Sequence, residues 1–369
     1  MLRSRFWKNF DWWLFGGAAL LSLVGILVIF STNLKAASVA SATDVRNQII
    51  FLGLALAGFF LLAYLDYRVW SKLTKPLYAI MVGLLLVVMV LGKTALGATR
   101  WINLGFFQFQ PSELAKLVLI IVLAKFFSDH YDRLDDPRQV LLSLAYLLVP
   151  LGLILAQPDL GTALVLIVIW LAMALISPMP KRYLVALAVA GLVLLPTGTH
   201  LLKPYQRARL DTFLQPKANP LGSGYNVVQS TIAVGSGQVF GRGLAAGSQS
   251  QLNFLPSQHT DFIFAVLAEK LGFVGGSILL VLFAALLGRA LIVTYRAQDR
   301  FGLFLGVGIV AMLTFHILIN VGMNMGIMPV TGIPLPFVSY GGTSLLISLA
   351  AVGLLESISI RRQKIQFGV

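Results

Sequence analysis

Residues 12–31 read WWLFGGAALLSLVGILVIFS, from Trp12 to Ser31, without one charged side chain. As a helix rising ~1.5 Å per residue, such a run covers roughly 30 Å, the thickness of a bilayer's hydrocarbon core. It is too long, and too lacking in a small-residue cleavage site, to be a removable signal peptide. Outward from it, nine more apolar segments follow at 47–65, 76–92, 112–127, 139–156, 161–177, 182–199, 264–288, 303–323 and 341–360. The expectation is an all-α polytopic membrane protein of ten spans, residues 1–369 forming one membrane domain. Composition agrees. Of 369 residues 58% are hydrophobic and 11% charged, and the mean hydropathy is +0.86. A soluble domain carries about 25% charged residues, so a soluble enzyme and a disordered chain are both excluded.

The net charge of +14 is read as a topology signal. Basic residues concentrate on one side if the N-terminus is inside: Arg3, Arg5 and Lys8, then Arg68, Lys72 and Lys75, later Arg289, Arg296 and Arg300, finally Arg361, Arg362 and Lys364. That bias places both termini in the cytoplasm and requires an even number of spans. No run of five or six like charges appears, so no nucleic-acid tail is expected. Cysteine is absent, which excludes disulfides and Cys-ligated metals.

One outer segment differs from the rest. Residues 200–260 form a long connection between spans seven and eight, rich in glycine, with Tyr225–Val234 apolar enough for a short amphipathic helix.

Ionisable groups at membrane depth are costly and therefore candidates for function. Gln110-Pro111-Ser112-Glu113 precedes Lys116. Pro and an acidic residue are ordinary helix-start signals, whereas Lys116, three residues on, can pair with Glu113 on the same face. Gln157-Pro158-Asp159-Leu160-Gly161-Thr162 repeats the pattern, and Asp159 is either a helix cap or a partner of Lys116. His259-Thr260-Asp261-Phe262 marks the return of the long connection to the membrane. There Asp261 is either an N-cap or a general base whose pKa the surroundings shift. Glu269 and Lys270 are expected to pair with each other. Arg100, Lys203, Arg207, Arg209, Lys217 and Arg242 form a set of outward cations. They either reflect the weak charge rule of long loops or serve an anion such as a pyrophosphate.

Further features are structural in type. Trp12, Trp13 and Trp101 suit an interfacial aromatic belt. His316, Asn320 and Asn324 share a helix face and are expected to hydrogen-bond between helices rather than bind metal. Gly322 and Gly326 form a G-x-x-x-G packing signal, and Gly332-Ile333-Pro334-Leu335-Pro336 demands irregular backbone. No P-loop, dinucleotide fingerprint, zinc motif or triad signature is present. Charges gathered at the outer face suit an enzyme acting on an anionic lipid-linked substrate, or a transporter.

Taken together, the motifs resemble the SEDS family (shape, elongation, division and sporulation). They are Arg100-Trp101-Ile102-Asn103-Leu104-Gly105, Gln110 to Lys116, Gln157 to Thr162, His259 to Val266, and Val338-Ser339-Tyr340-Gly341-Gly342. Gln249-Ser250-Gln251-Leu252 and Gly332 to Phe337 resemble the elongation branch more than the division branch. The resemblance implies a peptidoglycan glycosyltransferase of the bacterial inner membrane. Such an enzyme polymerises lipid II into β-1,4 glycan strands at the extracytoplasmic face, with undecaprenyl pyrophosphate leaving. It implies a class B penicillin-binding protein as partner, docked near spans eight and nine, where Ala284, Ala285, Gly288, Gly322 and Gly326 permit close helix packing. Other elongation-machinery proteins and membrane lipid are expected as partners, and nucleic acid is not.

The resemblance also assigns residues. The catalytic carboxylate would be Asp261, supported by a charge network of Glu113, Lys116 and Asp159. Substrate-binding candidates are Arg100, Trp101, Lys203, Arg207, Arg209, His259, Thr260 and Ser339. A divalent cation is possible, although no ligand cluster in the sequence argues for one. Three positions depart from the family: Ser257 and Lys270 stand where Glu is common, and Gln238 stands where Gly is common. Three alternatives stay open: a lipid II flippase, a non-catalytic scaffold for the penicillin-binding protein, and a division-branch polymerase.

Overall fold

The computed structural model describes residues 7–33, 39–95, 98–103, 108–201, 212–213, 215, 224–252 and 254–362. Helices α1 (Trp12–Asn33), α2 (Val39–Tyr64), the short α3 (Arg68–Lys72) and α4 (Thr74–Leu91) come first. Strands β1 (Lys93–Ala95), β2 (Ala98–Asn103) and β3 (Gln108–Phe109) follow. Next come α5 (Pro111–Asp129), α6 (Pro137–Ala156), α7 (Leu160–Ile176) and α8 (Lys181–Leu201). The long connection contributes α9 (Tyr225–Ser236) and α10 (Ser248–Gln251) before α11 (Ile263–Tyr295), α12 (Arg300–Asn324) and α13 (Gly342–Ile360).

A helix lies over each expected span. Among the described residues, six are long and apolar enough to cross a membrane by themselves. Two more are apolar but shorter, Thr74–Val90 and Leu160–Ile176. Helix α5 carries Glu113, Lys116, Lys125 and Asp129, and it is buried along nearly its whole length.

Burial sorts the helices. Phe304, Leu305 and Ile309 of α12 and Leu349, Val352 and Leu355 of α13 are inaccessible. Gly353 lets α13 approach the backbone of α2, since a Cβ there would lie 2.7 Å from the carbonyl oxygen of Phe59. The outer helices instead expose Leu23, Leu61, Val90, Leu141 and Val281. A bundle with a packed centre and an apolar exterior is that of a multi-pass membrane protein.

Two internal breaks are compensated locally. Pro150 lies inside α6 and cannot donate to the carbonyl one turn back, at Tyr146. The hydroxyl of Tyr78 on α4 donates to that oxygen at 3.1 Å. In α11, Gly272 adopts φ 67° and ψ −165°, so the helix is divided there. Residues Ile263–Lys270 form a buried half-helix. Phe273–Tyr295 continues as a run of roughly 35 Å by itself. The helix over the expected span at 264–288 is thus divided at Gly272, because glycine allows a left-handed break that no periodicity reveals.

Three further expectations are corrected. The chain is not wholly α: β1, β2 and β3 pair antiparallel between α4 and α5. Backbone groups in such a connection need partners near a membrane, and a hairpin supplies them. Gly326, with φ 73°, ends α12 and lies against Thr231 of α9 rather than continuing a helix seam with Gly322. The amide of Ile327 bonds back to the carbonyl of Gly322 at 2.8 Å and that of Gly326 to Met323 at 3.2 Å, a Schellman closure. Gly322 itself is buried beneath Met328. Finally, Glu269 and Lys270 do not pair. The Glu269 carboxylate accepts the amides of Gln249 and Ser250 at 2.9 and 3.0 Å. Lys270 Nζ donates to the carbonyls of Ser31 and Leu244, both at 2.9 Å. Neighbours in sequence on a helix point in different directions, and each side chain meets a different part of the long connection.

The long connection matches its expected short helix, α9, which buries Val227, Ser230 and Ala233 along one face. The segment from Ile327 to Gly341 is irregular, as the Gly-Pro-Pro pattern requires.

Candidate active site

Asp261 stands in the turn that leads into α11. The N-cap of that helix is Phe262, which makes no side-chain capping bond. The third amide of the first turn, Ala265, donates instead to Asn324 Oδ1 on α12 at 3.0 Å. The backbone carbonyl of Asp261 accepts two donors, Asn320 Nδ2 and Asn324 Nδ2, each at 3.0 Å. On the other side the turn is held by the segment after α12. Ser339 Oγ donates to the carbonyl of Thr260 at 2.6 Å and accepts the amide of Leu335 at 2.8 Å. The amide of Tyr340 donates to the carbonyl of His259 at 2.8 Å. Gly332 faces the carboxylate: a Cβ at this position would lie 3.6 Å from Asp261 Oδ2.

Lys116 is 1% exposed and Glu113 is 4% exposed, and they pair at 2.6 Å. The sequence gives that pairing from spacing alone. It does not give the second neighbour of Lys116, His316 Nε2 on α12 at 3.1 Å. A carboxylate and an imidazole therefore hold this ammonium inside the bundle, as a buried charge requires.

Asp159 caps α7, its Oδ1 accepting the amide of Thr162 at 3.2 Å and its Oδ2 the hydroxyl of Thr162 at 3.0 Å. Its ionic partner is Arg100 on β2, at 3.8 Å, rather than Lys116. Arg100 also donates to the carbonyl of Gln157 at 3.2 Å and to that of Pro158. A strand residue and a helix start far apart in sequence are thereby joined, which spacing could not show. Gln110 Nε2 reaches Asp159 Oδ2 at 3.4 Å.

The three groups share one scaffold. Gly161 at the start of α7 packs on Thr331 and Ile333. The next residue over, Gly332, faces Asp261, and the carbonyl of Ile333 accepts Asn320 Nδ2 at 2.8 Å. His316, Asn320 and Asn324 follow one another by a turn along α12; His316 and Asn324 bond to other helices as expected, whereas Asn320 bonds to the Asp261 turn and to the segment at Ile333. Sequence reading missed their individual partners, since each lies at a distance in the chain.

His259 Nδ1 lies 3.3 Å from Thr32 Oγ1. Burial holds its imidazole below the ordinary range, with the charge of Asp44 partly opposing. Thr260 is partly exposed, its hydroxyl donating to the carbonyl of Ser257 at 3.2 Å. Ser339 is buried and its hydroxyl is engaged in holding the turn. Trp101 is half-buried on β2, opposite Lys93. Lys203, Arg207, Arg209 and Lys217 lie outside the described residues. Among the described residues no group of three His, Asp or Glu side chains is arranged to hold a metal ion.

Comparison with known proteins gives a consistent answer. Stage V sporulation protein E of Bacillus subtilis is 37% identical over 346 residues, covering 92% of this chain and 94% of the relative. Peptidoglycan glycosyltransferase MrdB of Escherichia coli K12 is 37% identical over 351 residues, 95% of each chain. A chain from a structure described as "Structural coordination of polymerization and crosslinking by a peptidoglycan synthase complex" superposes with a TM-score of 0.78 at 35% identity, covering 95% of this chain and 97% of its own length. With residues 11–364 matching the cell cycle protein family FtsW/RodA/SpoVE as well, the chain belongs to that family, the one its SEDS-like motifs indicate.

Proposed function

We propose that this chain is a peptidoglycan glycosyltransferase that polymerises lipid II into β-1,4 glycan strands during cell elongation. Family membership and the relatives' names support the activity. The elongation branch rests on Gln249 to Leu252 and Gly332 to Phe337; a division-branch role is the alternative, since the relatives include proteins of several branches. The topology we assign is ten crossings of the inner membrane, with both termini cytoplasmic and the Asp261 turn on the extracytoplasmic face.

In the mechanism, Asp261 takes the proton of the 4-hydroxyl of the acceptor's GlcNAc. That oxygen attacks C1 of the donor MurNAc, and the bond from C1 to the pyrophosphate breaks. An α bond becomes a β bond in one inverting displacement. The pyrophosphate is already a good leaving group, so the second carboxylic acid of a glycosidase is not needed. One observation carries this reading: the Asp261 turn is fixed by side chains of α12 and by the segment after it, with its carboxylate facing Gly332. Preorganisation of this kind suits a general base. The Glu113–Lys116 and Arg100–Asp159 pairs act as support for that scaffold. Both are occupied by protein partners, so the charge developing on the pyrophosphate falls to cations of the long connection, Arg207 and Arg209.

A class B penicillin-binding protein is the partner we assign, on α11. Ala284 and Ala285 are exposed, and a Cβ at Gly288 would meet nothing within 4 Å. Gly322 and Gly326, covered or used as a cap, drop out of that surface. The relative in the solved synthase complex supports a crosslinking partner.

The test is lipid II polymerisation by the purified chain with a penicillin-binding partner that makes no glycan of its own. Wild type and Asp261→Ala are compared at equal complex yield. Polymer from wild type alone is expected. Equal polymer from both means that the chain polymerises without Asp261, and the general-base role is lost. No polymer from either, with lipid II flipping detected in liposomes, makes it a flippase.

A further inference from the structure

We infer that Asn324, with Asn320, is a positioning residue for Asp261, and that the base is placed by α12 rather than by its own helix. The inference rests on the reading of Asp261 as the base. A helix leaves its first amides without partners, and the N-cap side chain normally accepts one of them. Here Phe262 holds the N-cap and makes no side-chain capping bond. The acceptor is borrowed from α12, where Asn324 Oδ1 takes Ala265 N at 3.0 Å.

The other end of the same amide holds Asp261. Asn324 Nδ2 and Asn320 Nδ2 both donate to its carbonyl at 3.0 Å. Both asparagines are fully inaccessible. Asn324 is further tied to the long connection, with Ser230 Oγ of α9 donating to its carbonyl at 2.8 Å. The Asn324 side chain therefore sets the start of α11 and the backbone of Asp261 in one register, while its backbone carbonyl seats α9. If Asn324 is truncated, the Asp261 backbone loses one of its two fixed donors while α11 loses its cap, and the carboxylate shifts. A displacement of ~1 Å at a reacting group costs on the order of a hundredfold in rate.

The experiment measures kcat and KM for lipid II with the full chain in complex with its crosslinking partner. The variants are Asn324→Ala, Asn320→Ala, Asp261→Asn and the double Asp261→Asn/Asn324→Ala. We expect Asn324→Ala and Asn320→Ala each to lower kcat at least about tenfold, with KM changed by less than about threefold. We also expect the double variant to be no slower than Asp261→Asn, because residues acting through one group are not additive. Asn320→Ala leaves the Ala265 cap in place and serves if Asn324→Ala does not fold. Wild-type kcat in the asparagine variants, losses that multiply with that of Asp261→Asn, or loss of the complex in both would overturn the inference. If Asp261→Asn alone polymerises at the wild-type rate, the reading of the base fails; if it is inactive while the asparagine variants are normal, only this inference fails.

Discussion

The carbonyl oxygen of Gln238 accepts the backbone amide of Phe273 at 2.8 Å, across the break in α11. Three companion bonds complete the repair. Val274 donates to Val239 at 3.0 Å, Arg242 to Glu269 at 3.0 Å, and Gly243 to Lys270 at 3.0 Å. Breaking a helix at Gly272 orphans amides on one side and carbonyls on the other, and orphaned groups away from water are costly. The strand of chain from Gln238 to Gly243 satisfies both sides. The long connection is thus built into the membrane bundle, which fixes how α11 approaches the Asp261 turn.

Gln238 sits at φ 51°, in the left-handed region where a side chain is unfavourable. The glycine that the family resemblance leads one to expect at this place would suit that geometry. Gln238→Gly is expected to stabilise the protein by about 0.5–1 kcal/mol, the strain released exceeding the added freedom of the unfolded chain. Thermal unfolding in detergent at fixed scan rate reads the shift; a lower midpoint for the glycine variant contradicts it.

Lys116→Met strips the buried Glu113 carboxylate of its cation. We expect a loss of about 3 kcal/mol in stability. The double variant Lys116→Met/Glu113→Gln removes both charges and should recover a good part of that loss. The same unfolding measurement on both variants checks this, and equal instability of the two would show that the ion pair is not the reason.

His259 gives a dependence on pH. Burial holds its folded pKa below the ordinary 6.5, so the fold prefers the neutral ring. The unfolded chain binds the proton first as pH falls. The contribution is therefore fully present above about pH 6.5 and declines as pH drops through that value toward the lower folded pKa. Unfolding midpoints recorded between about pH 7.5 and 5 should fall in the wild type and fall less in His259→Gln, which does not titrate.

Tyr78→Phe leaves the Tyr146 carbonyl, already without its helical donor because of Pro150, without the hydroxyl. A cost of about 1 kcal/mol is expected. Pairing it with Pro150→Ala, which restores the helix's own amide, should reduce that cost. A double-mutant cycle on unfolding midpoints measures the coupling, and strict additivity speaks against the link.

The sequence by itself determined that this is a membrane helix bundle, because uninterrupted apolar runs admit no soluble fold and their lengths match a bilayer. It also determined the Glu113–Lys116 pair, since residues three apart on a helix are neighbours whatever surrounds them. The Asp261, Asp159 and Lys116 positions stood out because charges are rare at such depth. Their partners did not, and only the tertiary structure decided them. Arg100 meets Asp159, His316 meets Lys116, and Asn320 and Asn324 meet Asp261 across 59 to 200 residues of chain. Such pairings depend on how helices pack, and no local period encodes that. The break at Gly272 is of the same kind. A glycine in an apolar run is compatible with an unbroken helix, and it becomes a break only because Gln238 to Gly243 arrives from elsewhere to bond the freed backbone.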